Sequence, residues 1–367
     1  MQASNIKPLT GLRFLACSWM VLYDCWPKLA HGGHFAFAEH GHLSVELFFV
    51  LSGFILSHVY LQSHGEGGFN YGRFLWARLS RIYPLHLATM AGLGVMALAA
   101  GAVGFQVDKT VLAWVSLPAN LTLTNAWGLA PISGWNHASW SISAEWFAYL
   151  AFPLFAAVAW PLRNRPFVAV TGALALLAGL YSIFPKVAGF DLDQATIAWG
   201  ALRIVPCFAY GSAIYLLWRS GAVRKQATAL VGALISGALI VTMAQAGAPD
   251  MVTVALFGPL VLSLASLSST GSKIGSSKTF VYLGEISFAM YMVTIPWTIF
   301  YVNVAARLVH AQDKQLPLMA WIGLVAAVPL LGMAAHHLIE RPAREMMRGW
   351  TPSLPRALRQ GVLNMAA

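Results

Sequence analysis

"GLRFLACSWMVLYDCW", residues 11–26, is apolar enough to sit in a lipid bilayer, yet it carries Arg13 and Asp24. Charges in hydrocarbon are costly, so such residues face a protein interior and mark a functional site. Eleven residues at about 100° each bring the two side chains onto nearly one helix face, roughly 16 Å apart along the axis. A single stripe thus joins a cation near one membrane surface to a carboxylate well across the bilayer.

The rest of the chain is built the same way. Of 367 residues 58% are hydrophobic and only 10% charged, where a soluble domain carries roughly 25% charged residues. Apolar runs recur at 9–29, 41–62, 82–104, 138–160, 167–185, 197–218, 227–246, 251–268, 281–305 and 317–340. They have the length of membrane helices, and no β-barrel alternation is visible. The fold class expected is all-α, a polytopic membrane protein of about ten transmembrane helices in a single domain, residues 1–367. Its core covers about 7–344, and 345–367 form a cytoplasmic tail.

Charge arbitrates the count. With both termini cytoplasmic and 110–127 not spanning, seventeen of the 23 Lys and Arg fall inside and five outside. Arg203 lies within a span. Letting 110–127 cross would invert every later loop and destroy the positive-inside bias. The long outer segment 105–137 is then expected to re-enter or lie along the membrane edge, covering a cavity. The net charge of +10 sits in short loops between apolar runs. It forms no basic groove with exposed aromatics, so nucleic acid is not an expected partner. No cleavable signal peptide is evident. Cys17, Cys25 and Cys207 read as small buried hydrophobes, the first two about 12 Å apart along one helix and out of disulfide reach.

Further ionisable residues lie within the apolar runs. Arg78 and Arg81 in "FLWARLSRIYPLH" (74–86) are neighbours on one helix face and suit phosphate groups. They also suit a plain topological anchor. Glu46 lies near the outer end of the second span, Glu145 in the outer half of the fourth, beside Trp140 and Ser141, and Arg203 in the outer part of the sixth. Asp24, Glu46, Glu145 and Arg203 are therefore expected at one depth, either as a site or as interhelical ion pairs. The outer stretch "HGGHFAFAEHGH" (31–42) holds His31, His34, His40 and His42. Its spacing matches no standard zinc motif, so no metal is assigned.

"LTGLRFLA" (9–16), "VELFFVLSGFILS" (45–57), "FLWARLSRIYPLH", "WSISAEW" (140–146) and "YLGEISFAMYMV" (282–293) occur in order, and "IERPAR" (339–344) follows. Together they resemble the acyltransferase-3 family of integral membrane acyltransferases, which includes O-antigen and nodulation-factor acetylases of bacteria. The resemblance implies transfer of a short acyl group, acetyl by family habit, from cytoplasmic acyl-CoA to a hydroxyl of a sugar or lipid-linked acceptor. It implies a place among the lipids of the bacterial inner membrane, no tightly bound cofactor, and acyl-CoA as co-substrate. Arg78 and Arg81, with Arg13, would serve the donor side. The family's first-helix motif pairs a basic residue with a histidine; here Arg13 fits the first position and Asp24 occupies the second. Thr294 stands where family members usually carry another histidine, and is counted with Glu46, Trp140, Ser141 and Arg203 as a cavity residue. Asp24, or an Asp24–Glu145 pair, would then be the base that takes the acceptor's proton. Two other readings stay open: a family member without transferase chemistry, and a transporter or flippase using the same charged interior.

Overall fold

The computed structural model describes residues 6–104, 110–310 and 312–349. Lys109, Arg356 and Arg359 of the charge count, and most of the expected cytoplasmic tail, lie outside the described residues. The helices are α1 (Lys7–Cys25), α2 (Ala36–Glu39), α3 (Ser44–Gly65), α4 (Tyr71–Ala102), α5 (Leu117–Leu121), α6 (Ser139–Leu150) and α7 (Phe152–Ala159). Then come α8 (Pro166–Ala188), α9 (Gly200–Arg219), α10 (Gln226–Gln245), α11 (Asp250–Ser269), α12 (Lys278–Leu308), α13 (Leu318–Ala335) and α14 (Arg341–Gly349). A π-helical turn, His336–Glu340, joins the last two. The protein is an all-α polytopic membrane protein.

Among the described residues, eight helices are long and apolar enough to cross a bilayer, and the bent pair α6–α7 makes a ninth. The tenth expected span is α1, where Arg13 and Asp24 dilute the apolar character. α1 nevertheless runs parallel to α12 along most of its length. Gly284 backs onto the Thr10 carbonyl, and the Cys17 thiol reaches the Ser287 carbonyl at 3.3 Å.

Local chemistry sets the helix limits. Asn70 caps α4 by accepting from the Arg73 amide at 2.9 Å, and Ser277 caps α12 by accepting from the Phe280 amide at 3.3 Å. The 56° bend between α6 and α7 falls just before Pro153, whose ring removes a backbone donor and breaks the ladder. The Leu150 carbonyl at the break is capped by the Tyr71 hydroxyl at 2.9 Å.

α3 and α9 cross at backbone contact distance. A Cβ on Gly53 would overlap the Phe208 carbonyl, and one on Gly211 the Val50 carbonyl, the small-residue packing that lets membrane helices approach closely. Gly53→Ala or Gly211→Ala must push the helices apart. Either is expected to cost about 1–3 kcal/mol, read as a lowered unfolding midpoint in detergent, while Gly172→Ala, which meets open space, leaves it unchanged.

Residues 110–138, ahead of α6, fold inward. Asn120 and Asn125 are buried. The Asn120 carbonyl meets His86 Nε2 at 2.9 Å, and Tyr83 donates to the Leu121 carbonyl at 3.0 Å. Asn136 donates to the Met292 carbonyl of α12 at 2.9 Å. Ser143 bridges from α6 by donating to the Leu123 carbonyl at 2.8 Å and accepting from the Ala126 amide at 3.0 Å. Leu123 and Trp135 hold left-handed backbone angles here, a conformation costing non-glycine residues roughly 1–2 kcal/mol, offset by these bonds. The segment packs as a cover over the start of α6.

Candidate active site

Two cavities between the helices gather the charged residues. The first is lined by Arg13, Arg78, Arg81, Glu145 and Tyr149, with Ser52, Ser141 and Tyr291 among its other walls. The second is lined by Asp24, His42, His137, Trp140, Asp193 and Arg203, among others. Val45 borders both. Between them, the Tyr291 hydroxyl lies 2.8 Å from Ser141 Oγ and donates to the Ala138 carbonyl at 2.9 Å. The stripe on α1 places Arg13 on one cavity and Asp24 on the other.

The arginine cavity brings together three of the expected donor residues. Among the described residues, neither Arg13, Arg78 nor Arg81 makes an ion pair within 4.0 Å; the arginine pairs found belong to Arg203, Arg341 and Arg344. Arg78 lies over the Tyr60 ring at 5.8 Å, and its Nε is buried without a hydrogen-bond partner. Three guanidiniums face a single carboxylate, that of Glu145, whose Oε1 accepts from Ser52 at 2.7 Å. Such a surface binds a polyanion.

Glu145 is a correction to the sequence reading, which put it at the depth of Asp24. It lines the arginine cavity and does not share one with Asp24. The reason is the cover segment: α6 begins beneath it, with Ser139 and Trp140 already buried. Glu145, six residues or about 9 Å further on, therefore lies on the far side of the Ser141–Tyr291 contact. Asp24 and Glu145 line different cavities.

Neither Glu46 nor Thr294 lines either of these two cavities. Glu46 is fully buried against Arg203, whose Nε donates to its Oε1. Arg203 also donates from Nη1 to the Ala195 carbonyl at 3.1 Å and stacks 4.7 Å over the Trp140 ring. Its Nη2 is buried without a partner, on a side chain that borders the Asp24 cavity. Removing one member of a buried pair strands the other charge. Glu46→Ala is expected to lower stability by about 3–5 kcal/mol, with part recovered in Glu46→Ala Arg203→Leu; equal melting of Glu46→Ala and wild type would refute it. Thr294 is buried, and its hydroxyl donates to the Met290 carbonyl one turn back at 2.8 Å. Satisfied by its own helix, it does not reach the cavity, and Ile295 borders it instead.

The Asp24 cavity gains residues that the sequence did not single out. Asp193 comes from the turn between α8 and α9 and His137 from the end of the cover segment. Burial raises the Asp193 carboxyl, but hydrogen bonds from His42 and Gln194 hold the group well below the usual carboxylate range. Burial pushes the His137 imidazole down and keeps it neutral. The available signal was the rarity of acidic groups, 13 in the whole chain, two of them in "DLDQ" (191–194).

Residues 6–336 match the model of the acyltransferase domain family called acyltransferase-3. The acyltransferase MdmB of Streptomyces mycarofaciens is 30% identical over 323 residues, 79% of this chain and 78% of that protein. The exopolysaccharide production protein ExoZ of Rhizobium meliloti (strain 1021) is 27% identical over 329 residues, 88% of this chain and 94% of the relative. No solved structure matches. A match spanning nearly the whole chain, on a helical bundle whose motif residues gather around two adjoining cavities, settles the ancestry: the chain belongs to the acyltransferase-3 family of membrane acyltransferases.

Proposed function

We propose that the protein is an acyl-CoA-dependent O-acyltransferase of the bacterial inner membrane, moving a short acyl group, acetyl, onto a hydroxyl of a sugar or lipid-linked carbohydrate. The observation that carries this is the arginine cavity, where three guanidiniums without ion-pair partners face one carboxylate. The several phosphates of coenzyme A supply the missing negative charge. The positive-inside orientation puts this cavity on the cytoplasmic side, where acyl-CoA is made. The printed name of ExoZ, an exopolysaccharide production protein, supports a carbohydrate acceptor.

In this reading the acceptor occupies the Asp24 cavity, its hydroxyls held by the unpartnered Nη2 of Arg203 and its ring stacked on Trp140. The hydroxyl oxygen attacks the thioester carbonyl carbon while Asp24 takes its proton. The C–S bond breaks, and the coenzyme A thiolate leaves through the arginine cavity and is protonated by water. An aspartate carboxylate bordering the acceptor cavity can serve as the general base. The acyl group passes between the cavities beside Val45, the wall they share.

One observation favours a second reading, a family member without transfer chemistry: Asp24 and Thr294 replace two histidines, and Thr294 is turned away from the cavity. The deciding experiment is calorimetric titration of the purified protein with acetyl-CoA, followed by assay of thiol release with lipid-linked sugar as acceptor. Binding with turnover supports transfer, binding without turnover supports the second reading, and no binding overturns the donor site.

A further inference from the structure

One side-chain cluster at the wall of the Asp24 cavity is not explained by acyl transfer. His42 Nε2 lies 3.2 Å from Asp193 Oδ2 and 3.4 Å from Asp250 Oδ2, and all three ligand atoms fall within 4.8 Å of one another. These residues come from three separate elements: the turn before α3, the turn before α9 and the first residue of α11. An ion bound tetrahedrally at ~2.0–2.1 Å separates its ligand atoms by about 3.4 Å, close to the two distances from His42 Nε2 to the carboxylates.

The histidines are also oriented for a metal. His42 Nδ1 lies 2.9 Å from the Glu39 carbonyl. That carbonyl accepts only, so Nδ1 carries a proton and Nε2 is the ring atom turned toward the two carboxylates. This is how metal-bound histidines are held, by a backbone carbonyl on the other ring nitrogen. His40 repeats the arrangement, with Nδ1 2.7 Å from the Ala36 carbonyl and Nε2 3.6 Å from Asp250 Oδ1. Asp250 Oδ1 is itself buried without a hydrogen-bond partner, and Asp193 is 4% exposed. The two carboxylates that meet here offer two negative charges for a divalent cation to neutralise.

We propose that His42 Nε2, Asp193 Oδ2 and Asp250 Oδ2 bind one divalent transition-metal ion of the zinc class, with His40 steadying Asp250 from behind. Imidazole plus carboxylate donors favour zinc, manganese or iron over calcium. Three protein ligands leave a fourth position, the pattern of sites that keep a place for water or substrate. His42 and Asp193 border the cavity that also holds Asp24 and Arg203, so that position faces the acceptor pocket. Metal binding stands on the cluster alone. The ion's use, to orient an acceptor hydroxyl toward Asp24, rests on the acyltransferase reading.

The test is metal content. Protein purified in detergent is incubated with excess zinc, passed over a desalting column and analysed by elemental mass spectrometry, alongside Asp193→Asn Asp250→Asn. Wild type is expected to retain about one zinc per chain and to melt at a higher temperature with zinc than with chelator. The double variant is expected to lose at least tenfold in retained zinc and to show no melting shift. Acetyl-CoA affinity, read at the separate arginine cavity, serves as the folding control. His42→Gln supplies a second variant should the first not fold. Wild-type protein holding well under one zinc per chain, or folded variants retaining as much as wild type, would overturn the site and leave an imidazolium–carboxylate bridge in its place. Stoichiometric zinc with no acyl transfer from any donor would leave the metal site standing and remove the acyltransferase reading.

Discussion

Replacing Arg78 and Arg81 together by alanine is expected to weaken acetyl-CoA binding by about 10²–10³-fold. Each guanidinium–phosphate contact is a hydrogen bond between charged groups, worth roughly 1.5–3 kcal/mol, and 1.4 kcal/mol is tenfold in affinity. Neither arginine has a carboxylate partner within 4.0 Å among the described residues, so deleting them strands no buried anion and the fold should survive. Calorimetry at two salt concentrations reads the effect: wild-type affinity falls with added salt, and the variant's falls less. Equal affinity in the two proteins would mean that the pair only anchors α4 at the membrane surface.

Asp24→Asn is expected to reduce acyl transfer by about 10²–10⁴-fold, the range for removal of a general base. The change is nearly isosteric, and Asp24 lines the cavity away from the arginines, so acetyl-CoA affinity should stay within about twofold of wild type. That split, rate lost with donor binding kept, separates a base from a residue that merely supports the fold. Asp24→His is expected to keep activity, since imidazole titrates in the range proton transfer needs. Full turnover by Asp24→Asn would move the base elsewhere in the cavity, with neutral His137 next to be tested.

Much of this was legible before any coordinates. Arg13, Arg78 and Arg81, singled out as cations inside or beside apolar runs, line one cavity. The charge bias kept 110–127 from counting as a span, and Asn120 and Asn125 within it are buried against the helices. These readings succeed because they depend on local quantities: the cost of a charge in hydrocarbon, the cost of an unpaired amide, and the 1.5 Å rise of a helix.

Depth and facing were harder. Glu145 was placed by counting from an assumed membrane edge, but α6 starts lower, under the cover, and bends at Pro153. Thr294 was assigned a cavity by its position in a motif, whereas its short side chain is satisfied by the Met290 carbonyl. His42 was read among its sequence neighbours, where the histidine spacing fits no metal. Its partners are Asp193 and Asp250, 151 and 208 residues along the chain.

The sequence by itself determined the all-α membrane architecture, the family and the identity of the ionisable residues, because apolar run length and motif order are written one segment at a time. Only the tertiary structure decided which of those residues share a cavity. That depends on how far each helix slides and turns against its neighbours. Those offsets are set by backbone contacts such as Gly53 against Phe208 and Gly284 against Thr10, between residues no local pattern brings together.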